Sequence, residues 1–212
     1  MSTLLEIQGL TKRFGGVTAL DGVSMSVGEG ETVGLIGPNG AGKTTLFNCV
    51  TGVLRPEAGS IVCRGKPVMG CSPHRIAGCG IVRTFQNIRL FAGATVLDNV
   101  LVGAHGRTRA GLLAGILLTG ATRLEERQAR DHAMELLAFM GLVDRAREPA
   151  AALPFGLQRR LEIARALAAD PSLLLLDEPA AGLNPVEKQQ LLQLVQQLKA
   201  RGAIASFDTA RS

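Results

Sequence analysis

The sequence predicts an α/β fold built on a mostly parallel sheet, and three features carry that reading. Thr32–Ile36 is a compact apolar strand that runs straight into a glycine-rich octapeptide, Gly37–Thr44. Lys43–Thr51 reads as the helix behind that octapeptide. Leu173–Leu176 is a run of leucines, as expected of a parallel strand covered on both faces, and it ends in Asp177-Glu178.

The remaining elements follow in chain order. Residues 4–10 and 22–27 read as short strands separated by the polar, Gly-rich turn Thr11–Gly16. Gly59–Cys63 and Ile81–Phe85 are further strand candidates. From about residue 88 to 165 the character becomes helical. Thr95-Val-Leu-Asp98 forms a capping-box pattern ahead of an apolar stretch. Arg123–Met140 is a polar helix with an apolar face at Ala133, Leu136, Leu137 and Met140, closed by Gly141. Leu157–Ala169 is another helix, ended ahead of Pro171. Asn184-Pro185 opens a last helix with apolar positions at 191, 194, 195 and 198, stopping near Gly202. No internal repeat is visible.

Composition narrows the function class. A chain of 212 residues suits one domain, or one domain with a small subdomain. The apolar fraction of 46% against 19% charged residues is globular composition rather than disordered. Trp and Tyr are absent and Phe numbers 7, so stacking platforms for nucleic acid are not expected. The net charge of +5 is compatible with anionic ligands or an anionic membrane face, although scattered surface charge explains it more simply. Cys49, Cys63, Cys71 and Cys79 form no C-x-x-C pair, which fits reduced thiols better than a zinc framework or a disulfide scaffold. No leader-like segment precedes the first strand, and no apolar run approaches membrane-spanning length, so a soluble chain is expected.

The octapeptide Gly37-Pro38-Asn39-Gly40-Ala41-Gly42-Lys43-Thr44 has the form G-x-x-x-x-G-K-T. Gly37, Gly40 and Gly42 let the backbone fold tightly and turn its N–H groups inward on a phosphate. The Lys43 ammonium reaches the β- and γ-phosphates, and the Thr44 hydroxyl is placed for Mg²⁺. The expected ligand is therefore ATP with Mg²⁺. A strand-end Asp beside such a loop holds Mg²⁺, usually through water, which assigns Asp177 to the metal. Glu178 is the candidate general base for the attacking water. The third element is Leu153-Pro154-Phe155-Gly156-Leu157, where a helix N-terminus can offer backbone N–H groups to another phosphate.

Taken in order, the phosphate loop, Phe85-Gln86-Asn87, FGLQRRLEIARAL and LDEPAAGLNP resemble the ATPase subunit of ABC transporters over residues 4–202. Phe47-Asn48-Cys49, Arg83–Phe91, Arg159–Arg165 and Ala180–Pro185 look closer still to the ATPase subunits of branched-chain amino acid importers. The resemblance implies a P-loop core with a mostly parallel sheet, an antiparallel β-subdomain and an inserted helical subdomain. It reads residues 1–212 as one nucleotide-binding domain, with 88–165 helical and 203–212 a divergent, truncated end.

It also implies roles. Phe14 matches the aromatic that stacks on adenine, and Thr45 completes the phosphate loop. Gln86 matches the glutamine that contacts Mg²⁺ or water and links the site to membrane subunits. Leu153–Leu157 match the signature that completes the opposite subunit's site, and Ala181–Asn184 match the loop lying across the dimer interface. The implied partners are a second ATPase subunit, permease subunits and, indirectly, a solute-binding protein, with no nucleic acid. The implied place is the cytoplasmic face of the membrane. Branched-chain amino acids or a related small solute are the implied cargo.

Two departures qualify the resemblance. Pro154 stands where the family signature usually has Ser, and Leu157 where it has a polar residue, so phosphate contact there falls to the backbone of Phe155 and Gly156. No histidine follows His132, whereas the family places a switch histidine close to where Arg211 stands. A frameshift over codons 200–212 and a genuine divergent end both account for this. The expectation on either is ATP–Mg²⁺ binding with weakened hydrolysis and a less stable sheet. The alternatives are a nucleotide-binding module with little turnover and a soluble ABC ATPase of DNA repair or translation. The latter tend to carry a long coiled coil or two such domains, and this sequence has neither.

Overall fold

The computed structural model describes residues 2–84, 88–104, 120–200 and 205–208. Contacts divide the chain into two units, one of residues 1–86 with 171–212 and one of residues 87–170.

The first unit contains two sheets. An antiparallel sheet runs in the order β2-β1-β4-β5, formed by β1 (Thr3–Phe14), β2 (Val17–Gly28), β4 (Ala58–Cys63) and β5 (Lys66–Pro67). The stretch 11–16 is not a turn throughout: β1 continues to Phe14, β2 begins at Val17, and only Gly15-Gly16 turns. Repeated register shifts along the β1/β2 pair account for the difference, since bulges break the alternation by which a strand is recognised. The second sheet is wholly parallel, in the order β3-β8-β7-β6, from β3 (Thr32–Gly34), β6 (Ile81–Arg83), β7 (Leu173–Leu176) and β8 (Ala205–Asp208).

Two strands are shorter than the sequence suggests. Ladder pairing of β3 ends at Gly34, which pairs with Asp208, and Ile36 is exposed rather than part of a buried strand. β6 ends at Arg83, while Phe85 lies outside the described residues. Ala205–Asp208, within the stretch read as a divergent end, forms β8 between β3 and β7.

Helix α1 (Lys43–Val50) follows β3 and buries Leu46, Phe47, Cys49 and Val50. These join Leu5, Leu10, Val27, Ile61, Ile81, Leu173 and Leu175 in a continuous core that packs α1 against both sheets. All four leucines of β7 are buried, as a doubly covered parallel strand requires. A short helix absent from the sequence reading, α2 (Pro73–Gly78), has Ser72 at its N-cap and Pro73 at its first position. Helix α6 (Pro185–Ala200) buries Leu191 and Leu198.

The second unit is helical, with α3 (Val96–Ala104), α4 (Gly120–Phe139) and α5 (Phe155–Ala168), plus single 3₁₀ turns at Val143–Arg145 and Ala150–Ala152. The capping box is present: the Asp98 amide donates to Thr95 Oγ1 at 3.1 Å, and Thr95 Oγ1 donates to Asp98 Oδ2 at 2.6 Å. Ala133, Leu137 and Met140 are fully buried and Leu136 is half-buried. Gly141 terminates the α4 segment at φ +69°. Gly103 of α3 packs so closely on α5 that an added Cβ would stand 2.1 Å from the Arg165 carbonyl oxygen. Among the described residues, no helix is long and apolar enough to cross a membrane.

Candidate functional site

The loop from β3 to α1 is shaped by glycines. Gly40 and Gly42 both adopt φ +84°, the left-handed region that other residues enter only at a cost. At Gly42 the space is also closed, because a Cβ there would lie 2.3 Å from the Ala19 carbonyl oxygen on β2. Gly42 caps α1 without any side-chain acceptor, so the first amides of α1 precede any intrahelical partner. The Ala41 amide donates to the Pro38 carbonyl at 3.2 Å, which closes the loop on itself.

Lys43 leans back over the loop. Its Nζ donates to the Gly37 carbonyl and, at 2.9 Å, to the Pro38 carbonyl. An ammonium with two of three donors on the loop's own rim is held where an anion on the amides would meet it. Pro38, Asn39, Gly40, Ala41 and Thr44 are exposed, and Gly37, Lys43 and Thr45 are half-buried.

The end of β7 faces the same sheet edge. β3 and β7 are parallel and stand on either side of β8. Their C-terminal ends therefore emerge together, two strand spacings or about 10 Å apart. Asp177 is 3% exposed. Its Oδ2 accepts from Arg83 Nη2 at 2.6 Å, and Arg83 Nη1 donates to Asn48 Oδ1 on α1, also at 2.6 Å. The guanidinium carbon of Arg83 lies 5.4 Å from the Phe47 ring centroid. Glu178 takes φ +45°, an unusual value for a residue with a Cβ and a form of strain that clusters at functional sites.

The chain from Glu178 to α6 is then fixed by local bonds. The Ala181 amide donates to the Glu178 carbonyl at 3.0 Å, and Gly182 turns at φ +78°. Asn184 and Glu187 cap α6 reciprocally: the Glu187 amide donates to Asn184 Oδ1 at 2.9 Å, and the Asn184 amide to Glu187 Oε2 at 3.0 Å.

Phe14 ends β1 and is 47% exposed. Lys12 Nζ stands 5.3 Å from its ring centroid. Lys12 in turn donates to the Arg55 carbonyl at 2.9 Å and pairs with Glu57. The Lys12 hydrogen bond, and then one from the Arg13 amide, hold the Glu57 carboxyl below its ordinary value.

Leu153–Leu157 belong to the other unit. Helix α5 starts at Phe155, two residues before the expected Leu157, with Pro154 as its N-cap and no side-chain cap bond. Gly156 therefore sits in the first turn rather than ahead of the helix. The Pro154 carbonyl accepts from Leu157 at 2.9 Å and Gln158 at 3.0 Å. The amides of Phe155 and Gly156 precede any intrahelical acceptor. Leu153 is buried, its carbonyl accepting from Gln158 Nε2 at 2.8 Å, while Pro154 and Phe155 are exposed. Gln86 lies outside the described residues.

The donor set suits a hard divalent cation, since a hydroxyl at Thr44 and a carboxylate at Asp177 supply the oxygen that Mg²⁺ prefers. The glycine-lined cradle suits phosphate. Arg83, Asn48 and the Lys12–Glu57 pair were given no separate role from sequence. Their only signal there was that Asn48 and Arg83 fall inside segments matching the importer branch.

Comparison with known proteins bears on all of these elements at once. The chain is 47% identical over 197 residues to the high-affinity branched-chain amino acid transport ATP-binding protein BraF of Pseudomonas aeruginosa, covering 93% of this chain and 77% of that protein. It is 46% identical to the corresponding LivG protein of Escherichia coli, covering 92% and 77%. Among solved structures, an ATP-binding cassette of an ABC transporter in its ADP conformation superposes with a TM-score of 0.85 at 32% identity, covering all of this chain and 83% of that one. The relatives favour the transporter reading over an ABC ATPase of DNA repair or translation. The ABC transporter family profile matches residues 20–181, from the first half of β2 past Asp177-Glu178, and the chain belongs to that family of ATP-binding proteins.

Proposed function

We propose that this chain is the ATP-hydrolysing subunit of an importer for branched-chain amino acids or a closely related small solute. One observation carries the catalytic half of the reading. A glycine-shaped loop, closed against Ala19 at Gly42, shares a sheet edge with Asp177 and Glu178. The cargo rests on the two relatives at 46–47% identity, both described as branched-chain amino acid transport proteins.

In this reading the backbone N–H groups within Gly37–Thr45, of which Pro38 has none, cradle the phosphates, and Lys43 neutralises the β- and γ-oxygens. Phe14 offers its exposed ring to the adenine. Thr44, Asp177 and Gln86 would hold Mg²⁺, which would supply charge neutralisation at the phosphates. Glu178 takes up the proton of the attacking water as general base. Leu153–Leu157 present the first-turn amides of Phe155 and Gly156 to nucleotide held by a second subunit, so a closed pair of subunits completes each site. The Ala181–Asn184 turn lies across that pair. The assembly works on permease subunits at the cytoplasmic face of the membrane and, through them, with a solute-binding protein. Residues 1–212 form one nucleotide-binding domain whose helical part spans about 88–165.

The test is ATP binding and turnover by the chain assembled with candidate permease subunits from the same genome. Lys43→Ala is expected to abolish both. Glu178→Gln is expected to retain ATP while turnover falls by roughly 10²- to 10⁴-fold. Uptake of radiolabelled leucine into ATP-loaded proteoliposomes assigns the cargo. Turnover that survives Glu178→Gln would remove that residue from the mechanism.

A further inference from the structure

Arg83 is the last residue of β6, and it joins three elements at the base of the site. Its two terminal nitrogens each make a 2.6 Å hydrogen bond, one to Asp177 at the end of β7 and one to Asn48 on α1. Its side chain is 7% exposed and that of Asp177 5%, so the charge-assisted pair is shielded from water. The guanidinium also lies against the Phe47 ring, the residue before Asn48.

Asn48 stands four residues after Thr44 on α1, and residues four apart share one helix face. Thr44 and Asp177 are the two described oxygen donors assigned to the metal, and they come from different elements. The chain Thr44, Asn48, Arg83, Asp177 links them through one helix turn and two short hydrogen bonds. A rigid planar fork can fix two acceptors at a set separation, which a flexible ammonium cannot.

We propose that Arg83 is a positioning residue for the divalent cation. It aims the Asp177 carboxylate and ties it to the helix carrying Thr44, so the two donors keep one spacing. The inference rests on the metal assignment made above for Thr44 and Asp177. Groups that orient metal ligands from behind change metal affinity by roughly 10- to 100-fold when lost.

The experiment measures ATP affinity of the chain in Mg²⁺ and in EDTA, with a Mg²⁺ titration at fixed ATP, for wild type, Arg83→Met, Arg83→Lys and Asn48→Ala. Arg83→Met is expected to lose roughly 10- to 100-fold in apparent Mg²⁺ affinity while ATP binding in EDTA stays as in wild type. Arg83→Lys keeps the charge without the fork and recovers only part. Asn48→Ala leaves Arg83 and Asp177 in place but frees the link to α1, and is expected to fall between Arg83→Met and wild type. Mn²⁺ in place of Mg²⁺ gives a spectroscopic readout, its resonance broadening as Asp177 loses its fixed orientation.

Equal weakening of ATP binding with and without Mg²⁺ in Arg83→Met would mean a structural role and overturn the proposal. Should Arg83→Met fail to fold, Asn48→Ala decides, and wild-type Mg²⁺ affinity in that variant overturns it. A wild-type chain whose ATP binding ignores Mg²⁺ overturns the metal assignment itself, an outcome separate from failure of Arg83 alone.

Discussion

The Lys12 ammonium stands 5.3 Å from the centroid of the Phe14 ring and is anchored there by the Glu57 carboxylate. One face of the ring therefore meets a cation that belongs to the protein. Phe14→Ala is expected to weaken ATP binding by about 1–3 kcal/mol, the range for loss of one base–aromatic stack. An affinity equal to wild type, measured by calorimetry, would show that the ring packs for structural reasons.

Acid should loosen this anchor in a defined direction. The Glu57 carboxyl lies below its ordinary value because Lys12 and the Arg13 amide favour its charged form. Such a group contributes stability that is full above its unfolded value, about 4.3 for glutamate, and lost as pH falls through the lower folded value. Thermal melts across the acid range should show Glu57→Gln with a flatter decline than wild type below about pH 4.5. Parallel declines would mean that the pair adds nothing to stability.

The two left-handed glycines of the loop separate conformation from space. At Gly40 no atom lies within 4 Å of an added Cβ, so Gly40→Ala meets only the backbone cost of φ +84°, roughly 1–2 kcal/mol. At Gly42 the same φ is joined by an approach of 2.3 Å to the Ala19 carbonyl, so the backbone of the loop or of β2 must move. Gly42→Ala should cost more in melting temperature than Gly40→Ala and should lose ATP binding. Equal melting points for the two variants would refute the steric account.

The cysteines should react in an order set by burial. Desolvation raises the thiol values of buried Cys49 and Cys63, which lowers their thiolate fraction near neutral pH. Cys71 and Cys79 are only half-buried. Maleimide at about pH 7.5 should therefore label Cys71 and Cys79 first, and reach Cys49 and Cys63 mainly after denaturation. Peptide mapping after short exposure checks this, and early labelling of Cys63 would contradict it.

What the sequence made legible was local chemistry. The turn after β3 needs glycine at fixed places, and Thr95 with Asp98, and Asn184 ahead of Pro185, mark helix starts, the side chains of Thr95, Asp98 and Asn184 making bonds that span only three residues. Other features depended on partners remote in sequence. The bulged β1/β2 pairing erased strict alternation, so Thr11–Phe14 read as a turn. Ala205–Asp208 carries too little apolar character to announce a strand, and it is one because β3 and β7 flank it on both sides. The link from Asn48 through Arg83 to Asp177 joins residues 35 and 94 positions apart, and no local pattern encodes that.

Arg159 and Glu162 test how α5 is held. Both are 1% exposed and their hydrogen bond is 2.7 Å. Arg159 also lies 6.0 Å from the ring of Phe155, the first residue of α5. Removing one member takes a 2.7 Å charge-assisted hydrogen bond from a buried charge, which is destabilising. Replacing both by apolar residues of similar volume removes that penalty and is often neutral or better. Arg159→Met and Glu162→Leu should therefore each lower the melting temperature sharply, while the double variant recovers much of the loss. The recovery, measured as coupling in a double-mutant cycle, separates an ion pair from simple packing by the two stems. Additive losses in the double variant would show that each side chain is held by its other contacts, and that the pair does not fix the start of α5.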